Sequence, residues 1–509
     1  MQTTPGRGKF DGTGSAAVAV VLVVALLVRL WINSHSLWYD EMYTILHFVG
    51  RPLRDIVAGE YSANNHVLST LLIKMAAWAC GGLATLDDGQ GHAVLTLGTD
   101  NTLAFRLVPV LAGTMLALAL AWGLRPVPAL AAQTKARPSL RDWLPMVVMG
   151  MLAACHPWLA SVSTEARGYA LMLMLAALAT NSLDAFRTRF SWGYVLAMVA
   201  AIYTLPTAGE VLLAHGAALL SLNRAGLKRW ATAAVLVIAA NALLYAPFLG
   251  GIRAHIGVPG HADISLAPYA ASVLRHAVAG WNTGGAAAVV VAVAVLGAGS
   301  MLAWRHAALR VGLLTYGVAT GLAVAGALTI GNLKWERLAV WLAPWCVLAL
   351  FGLVTAAWQF VPKPAPRWAI TAVLTFVALA GLLWQDSVLA RIPPQPSLEA
   401  LLQAGRSGGA DITVVGVYMN SAESWQLYLP WLERHTTVAY NLEALQRAER
   451  AAQGRVRLVV YFEGALGQAD PELATYIARH YDLAERLDGR ISPALIYTPR
   501  RDIRPTAPG

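Results

Sequence analysis

Charge is what this 509-residue chain has least of. Asp, Glu, Lys and Arg make up 13% of it, against 57% hydrophobic residues, where an ordinary soluble domain carries roughly 25% charged residues. The shortage is uneven. Residues 390–509 hold 13 Arg and 13 acidic residues, whereas the preceding 389 residues hold 25 basic and 15 acidic ones. The formal excess of +10 therefore comes entirely from the apolar region, and the basic pI does not mark a nucleic-acid-binding face. Cysteine is scarce as well. Cys80, Cys155 and Cys346 lie far apart in apolar stretches, with no CxxC pair and no Cys/His cluster, which excludes a disulfide framework and a structural zinc site. They are expected to pack as small buried residues. A cleavable signal is also lacking: the apolar run 16–28 continues through Leu30, Trp31 and Ile32 without a small-residue cleavage site, so a retained first span is expected. There is no GxGxxG or P-loop after any predicted strand.

Long apolar runs are plentiful. A spanning helix needs about 20 mostly apolar residues. Segments 16–33, 104–124, 144–162, 169–186, 191–205, 206–222, 230–249, 284–304, 309–330, 338–357 and 368–386 qualify or nearly do. Segment 66–85 is ambiguous, and loop charge decides it. If it does not cross, 15 basic residues fall on one face and nine on the other, with Arg29 inside the first span. The richer face is then cytoplasmic by the positive-inside rule. If it crossed, that asymmetry would collapse. The expectation is an α-helical polytopic membrane protein with about eleven transmembrane helices over residues 1–389. Its N-terminus is cytoplasmic, and a large external loop, 34–103, contains an interfacial or re-entrant helix at 66–85. Pro206 separates the two short spans of 191–222.

Residues 390–509 read as a small C-terminal α/β soluble domain on the external side, after the Pro-rich linker RIPPQPS at 391–397. Runs 411–418, 436–440, 456–462 and 494–499 have strand composition. Segments 421–435, 442–454 and 471–481 read as helices.

Charged residues beside or within spans are costly and mark function more often than charges elsewhere. The external face gathers three sets. SLWYDEMYTI (36–45) places Asp40 and Glu41 just beyond the first span. Adjacent carboxylates point about 100° apart on a helix, so they do not form one dyad: one can face a cavity while the other caps or pairs. A plain N-cap is the competing account of Asp40. STEARGY (163–169) holds Glu165 and Arg167 in a tight turn, readable as an interfacial salt bridge or as an anion site, since guanidinium offers a planar fork to phosphate. LKWER (333–337) brings Lys334, Glu336 and Arg337, readable as a flanking anchor with an aromatic belt or as part of the same anion chemistry. Asn64, Asn65 and His66 open the interfacial helix, where Asn caps and His66 can donate to phosphate. No His pair has carboxylates at metal-ligand spacing, so no metal and no other cofactor is expected.

The order of these blocks is distinctive. SLWYDE follows the first span, then NNHVLSTLL, FRLVPVLAGTM, HPWLASVSTEARGYALMLM and ERLAVWLAPW. Over roughly residues 25–360 this resembles the bacterial GT-C membrane glycosyltransferases, the group that includes protein O-mannosyltransferases and lipid A aminoarabinose transferases. The Asp-Glu pair and the EARGY turn are its specific parts. Val67 stands where many relatives have Pro, and Leu338 where Tyr is usual after the Arg; both bear on substrate class more than on fold.

The resemblance implies a GT-C fold and an inverting glycosyltransferase acting at the external, periplasmic side of the bacterial inner membrane. The donor would be a hexose or pentose on a polyprenyl phosphate, and the acceptor an envelope glycan, lipid or protein. Asp40 matches the family's catalytic carboxylate, and Glu41 beside it is expected to belong to the catalytic pair. Arg167, Arg337, Lys334 and His66 would hold the donor phosphate. Glu165, Tyr169, Asn65 and Glu336 would contact sugar or acceptor. Two other readings compete: from another class, a transporter or flippase of lipid-linked sugars, which often shows internal repeats not seen here, and, within the enzyme class, a lipid-linked polysaccharide polymerase or ligase, which would lack SLWYDE.

Overall fold

The computed structural model describes residues 12–59, 62, 64–87, 93–98, 102–126, 138–256, 270–271, 273–274, 286–330, 335–406, 412–417, 427–428, 436–461 and 463–500. The chain divides into two compact units. One comprises Met1–Asn33, Val57–Ser69 and Val108–Leu389; the other comprises Ser34–Ile56, Thr70–Leu107 and Ala390–Gly509.

The first unit is built of apolar helices. Among the described residues, six are long and apolar enough to cross a membrane: Gly12–Ile32, Leu103–Leu124, Tyr169–Arg187, Arg224–Arg253, Ala307–Gly326 and Pro366–Arg391. The other expected spans fall on shorter helical segments where they are described, so six rather than eleven reach spanning length among the described residues. The expected span 144–162 is broken into Leu140–Ala154 and Pro157–Val162, because Pro157 has no N–H to continue the ladder. The stretch 191–222 is also two helices, Trp192–Thr204 and Gly209–Leu222, parted by a 3-10 turn at Pro206. Helix Val67–Ala79 has 13 residues. At 1.5 Å per residue it rises about 20 Å, short of a hydrocarbon core of about 30 Å.

Lipid tails are as apolar as leucine, so close backbone approach and interhelical hydrogen bonds hold such helices together. Gly299 and Gly352 bring Ala286–Trp304 against Trp335–Val354: a Cβ on Gly352 would lie 2.6 Å from the Ala303 nitrogen. A polar chain links five helices. Tyr316 bonds Thr180, whose hydroxyl lies 3.0 Å from His215 Nε2. His215 Nδ1 lies 3.1 Å from the Tyr194 hydroxyl, which accepts from Trp230 Nε1 at 2.9 Å. Arg29 is fully buried in the first helix and donates from Nη1 to the carbonyls of Ala25 and Ala154 at 2.9 and 3.1 Å. The second bond satisfies an acceptor at the end of the helix that Pro157 follows, and Asp386 lies within electrostatic reach of the same guanidinium.

The second unit contains two sheets. β1 (Leu83–Asp87) and β2 (Ala93–Leu97) form an antiparallel hairpin in register Leu83↔Leu97. The other five strands are β3 (Thr413–Val417), β4 (Thr436–Ala439), β5 (Val456–Tyr461), β6 (Tyr481–Leu487) and β7 (Ala494–Pro499), in the order β4-β3-β5-β7-β6. The β4, β3 and β5 strands run parallel, while β7 is antiparallel to β5 and β6. Val415, Val417, Leu458, Val460 and Leu495 pack with Leu445, Leu473 and Ile477 from helices Leu442–Ala451 and Pro471–His480. Asn441 and Asp470 cap those helices, accepting from Ala444 N and Leu473 N at 2.9 Å each, as side chains with a short acceptor arm do. The expected helix 421–435 lies outside the described residues except at Leu427 and Tyr428.

Two strand elements went unread in the sequence. β6 carries Asp482, Glu485 and Arg486 on an exposed edge strand, where lateral charge is tolerated and discourages further pairing; its charge made it look unlike a strand. The β1–β2 hairpin begins inside the segment expected to be helical to residue 85; the helix stops at Ala79, before Gly81 and Gly82.

Candidate functional site

In the second unit, Trp38 leads into helix Tyr39–Thr44. Asp40 is its second residue and is partly exposed. Glu41 is fully buried. Its Oε2 accepts from the Trp38 backbone N–H at 3.2 Å, closing the helix start. Both its oxygens also meet Arg106: Nε to Oε1 at 2.7 Å and Nη2 to Oε2 at 2.6 Å. Arg106 is 2% exposed and donates further to the carbonyls of His35 and Ser36, at 2.8 and 3.0 Å. Such a bidentate, charge-assisted pair fixes geometry as well as charge. Of the two adjacent carboxylates, Glu41 is the one committed to holding the loop, and Asp40 the one left at a partly open face.

The same loop is held by residues far along the chain. The Tyr428 hydroxyl accepts from Leu37 N at 2.6 Å, Gln395 Oε1 accepts from Tyr39 N at 3.1 Å, and Ser36 Oγ donates to Glu399 Oε2 at 2.6 Å. Segment 390–509 is thus part of what shapes the backbone around Asp40. Burial pushes the Tyr428 phenol well above its ordinary range, so it remains a neutral hydroxyl, able to accept from Leu37 N and to donate to the Leu37 carbonyl at 3.3 Å. Downstream of Asp40, a π-helical turn spans Ile45–Val49. Lys74 Nζ donates to the carbonyls of Val49 and Arg51 at 2.7 and 2.9 Å, using the charge to satisfy acceptors at that irregular turn.

In the first unit, residues 64–66 meet residues 165–169. His66 is 2% exposed, Arg167 4%, Tyr169 5%, and Asn65 and Glu165 9% each. Expected as a surface turn, STEARGY is buried. His66 Nδ1 accepts from the Gly168 backbone N–H at 2.7 Å. An accepting Nδ1 carries no proton, so Nε2 bears it and is the ring's donor. Arg167 Nη2 donates to Asn64 Oδ1 at 3.3 Å, and its guanidinium lies 4.8 Å from the centre of the Tyr169 ring. The His66 and Tyr169 rings meet edge to face at 5.2 Å. A buried guanidinium held against an aromatic face, beside an imidazole whose Nε2 donates, is chemistry suited to an anionic oxygen.

Gly168 makes this approach possible. A Cβ there would lie 2.8 Å from both His66 Cβ and Thr204 Cγ2. Gly168→Ala is therefore expected to push His66 away and cost about 1–3 kcal/mol as an overpacked site. A thermal-unfolding series would read this as a clear fall in midpoint; an unchanged midpoint would contradict the packing.

Helix Trp335–Val354 contains Glu336 and Arg337, whose side chains are not described, and Lys334 lies outside the described residues. Asp40 and Glu41 fall in the second unit; Asn65, His66, Glu165, Arg167 and Tyr169 come together in the first. Sequence reasoning passed over Arg106, Tyr428, Gln395 and Glu399. Arg106 did leave a signal, since it is a cation opening an apolar span within the block FRLVPVLAGTM. Among the described residues there is no group of three or more His, Cys, Asp and Glu that could hold a metal ion.

No protein-family model matches the chain, and no curated protein sequence matches it. Among solved structures, it is similar to ArnT from Cupriavidus metallidurans in the apo state, at 11% identity and TM-score 0.46, covering 97% of this chain and 99% of that one. It is also similar to ArnT from the same organism bound to undecaprenyl phosphate, at 13% identity and TM-score 0.46, covering 96% and 98%.

Proposed function

We propose that this protein is an integral membrane glycosyltransferase of the GT-C type, moving a sugar from a polyprenyl phosphate to an acceptor hydroxyl or amine at the external face of the bacterial inner membrane. The observation that carries this reading is the buried cluster of Arg167, His66 and Tyr169, assembled from two of the blocks that carry the sequence resemblance. The partly exposed Asp40 beside a locked Glu41 supports the other half of the chemistry.

In this reading Asp40 acts as general base. It takes the acceptor's proton as the acceptor atom bonds to the anomeric carbon and the carbon–oxygen bond to phosphate breaks, with inversion. The leaving polyprenyl phosphate goes from one negative charge towards two. Arg167 and the Nε2–H of His66 stabilise that developing charge, as fixed donors do most effectively in a dry site. Arg337 and Lys334 are assigned the same task, and Tyr169, Glu165, Asn65 and Glu336 the sugar or acceptor. Glu41 is assigned as a positioning residue, acting through Arg106 and the Trp38 N–H.

The test uses the purified full-length protein in lipid nanodiscs, supplied with polyprenyl-phosphate-linked hexoses and pentoses and an envelope-lipid extract as acceptor. Acceptor-dependent release of polyprenyl phosphate is expected, and Arg167→Ala should slow it about 10²-fold, the scale of losing one charge-stabilising donor. No acceptor-dependent release with any donor would overturn the reading. A folded Arg167→Ala protein with unchanged rate would overturn the phosphate assignment.

A further inference from the structure

A charged cavity of about 580 Å³ lies among helix ends of the first unit, lined by Arg125, Arg187, Arg310, Asp184, Asn181 and Asn223. Three candidate spans begin or end there: Leu103–Leu124, Tyr169–Arg187 and Ala307–Gly326. Its lining charges are three arginines against one aspartate. Arg187 is already paired with Asp184 at 3.3 Å. Arg125 donates to the Trp122 carbonyl at 2.9 Å and Arg310 to the Trp304 carbonyl at 2.8 Å; among the described residues no carboxylate pairs with either. Below this basic rim the wall is apolar, with Leu120, Leu219 and Leu348.

A second cavity of about 340 Å³ adjoins the first, and the two share Gly123, Arg125 and Ala308. Its wall is mostly apolar, with Leu144, Val148, Phe351, Trp358 and Trp368, and His306, Thr355 and Thr371 add a few polar groups. An anionic head beside a hydrocarbon chain fits this pair of chambers. Basic pockets between transmembrane helices at the positively charged face bind anionic lipid head groups, and the loops gathered here are ones that the charge bias assigns to that face.

We infer that these joined cavities form a binding site for an anionic phospholipid, with its phosphate between Arg125 and Arg310 and an acyl chain in the Trp358–Trp368 slot. The site is separate from the residues assigned to sugar transfer, and stands or falls independently of that assignment. Asn181, which donates to the Ala119 carbonyl at 2.7 Å, and Asn223 complete the polar rim.

The test is native mass spectrometry of the full-length protein with equimolar phosphatidylglycerol and phosphatidylcholine of identical acyl chains. Phosphatidylglycerol is expected to be retained about tenfold over phosphatidylcholine, and Arg125→Gln with Arg310→Gln should bring the ratio to near one. Ala308→Trp changes no charge and is placed on an exposed residue at the junction of the chambers; it should reduce phosphatidylglycerol retention severalfold even if the double variant does not fold. Equal retention of the two lipids by the unaltered protein would overturn the inference. So would an undiminished preference in the folded double variant or in Ala308→Trp. Displacement of the lipid by millimolar inorganic phosphate alone would show a simple anion site and overturn the acyl-chain part.

Discussion

Asp40→Asn is expected to lower sugar transfer by about 10²–10⁴-fold, the span over which a positioned general base contributes, while the protein folds as before. The side chain keeps its size and sits at the start of a helix, partly exposed. The lost charge forfeits a macrodipole contribution of about 0.3–1 kcal/mol. Asn can still accept at a helix start but cannot take a proton, so the substitution separates chemistry from architecture. Release of polyprenyl phosphate measures the first and thermal unfolding the second. Transfer within threefold of the unaltered protein would remove Asp40 from the reaction. Glu41→Gln should show the opposite signature, a fall in unfolding midpoint that precedes any effect attributable to proton transfer, because both its oxygens are engaged with Arg106 and the Trp38 N–H.

Arg106→Ala carries the largest expected cost in stability. The substitution strands the fully buried Glu41 carboxylate without its cation, and withdraws donors from the carbonyls of His35 and Ser36. Removing one member of a buried pair typically costs about 3–5 kcal/mol, since the partner is left as an uncompensated buried charge. The readout is a large drop in unfolding midpoint together with proteolytic cutting in residues 34–44. Replacing both members by apolar residues, Arg106→Met with Glu41→Leu, should recover much of the stability, as such replacements often do. It should not recover transfer, because the loop before Asp40 then loses its ties through Arg106 to His35 and Ser36 and through Glu41 to the Trp38 N–H. Full activity in the double variant would show that the pair contributes to stability alone, and an unchanged midpoint in Arg106→Ala would show that the pair contributes little.

The two carboxylates illustrate how far sequence could reach. Their adjacency, together with the 100° helical turn, was enough to predict that one would pair or cap while the other faced elsewhere. Which was which depended on Arg106, 65 residues from Glu41. Similarly, His66 and Arg167 were both readable as phosphate-binding candidates from residue type and motif. That His66 accepts from Gly168, 102 residues away, and so presents Nε2 as its donor, had no local signature. The residues that hold Ser36, Leu37 and Tyr39 (Glu399, Tyr428 and Gln395) lie more than 350 residues from their partners, in a region whose composition announced only an α/β fold. Strand β6 was hidden for a related reason: Tyr481–Leu487 is polar enough to pass for helix or loop, and it is a strand because β7 lies alongside it.

By itself, the sequence determined the apolar helical region, its break at Pro206, the strand-forming runs of the tail and the small set of charged residues able to do chemistry; the break at Pro157, inside a segment read as one span, emerged only in the fold. Each of these follows from sums over a short window: hydropathy over about 20 residues, a missing proline N–H, alternation along a strand, the cost of a charge beside a membrane. Tertiary structure alone decided the commitment of Glu41 to Arg106, the burial of the EARGY turn against His66, the tie between the Asp40 loop and the C-terminal region, and the basic cavity at the helix ends. Those are pairings between distant segments, and a buried polar group takes whichever partner the packed chain brings within reach, because leaving it unmatched costs more than any local preference gains.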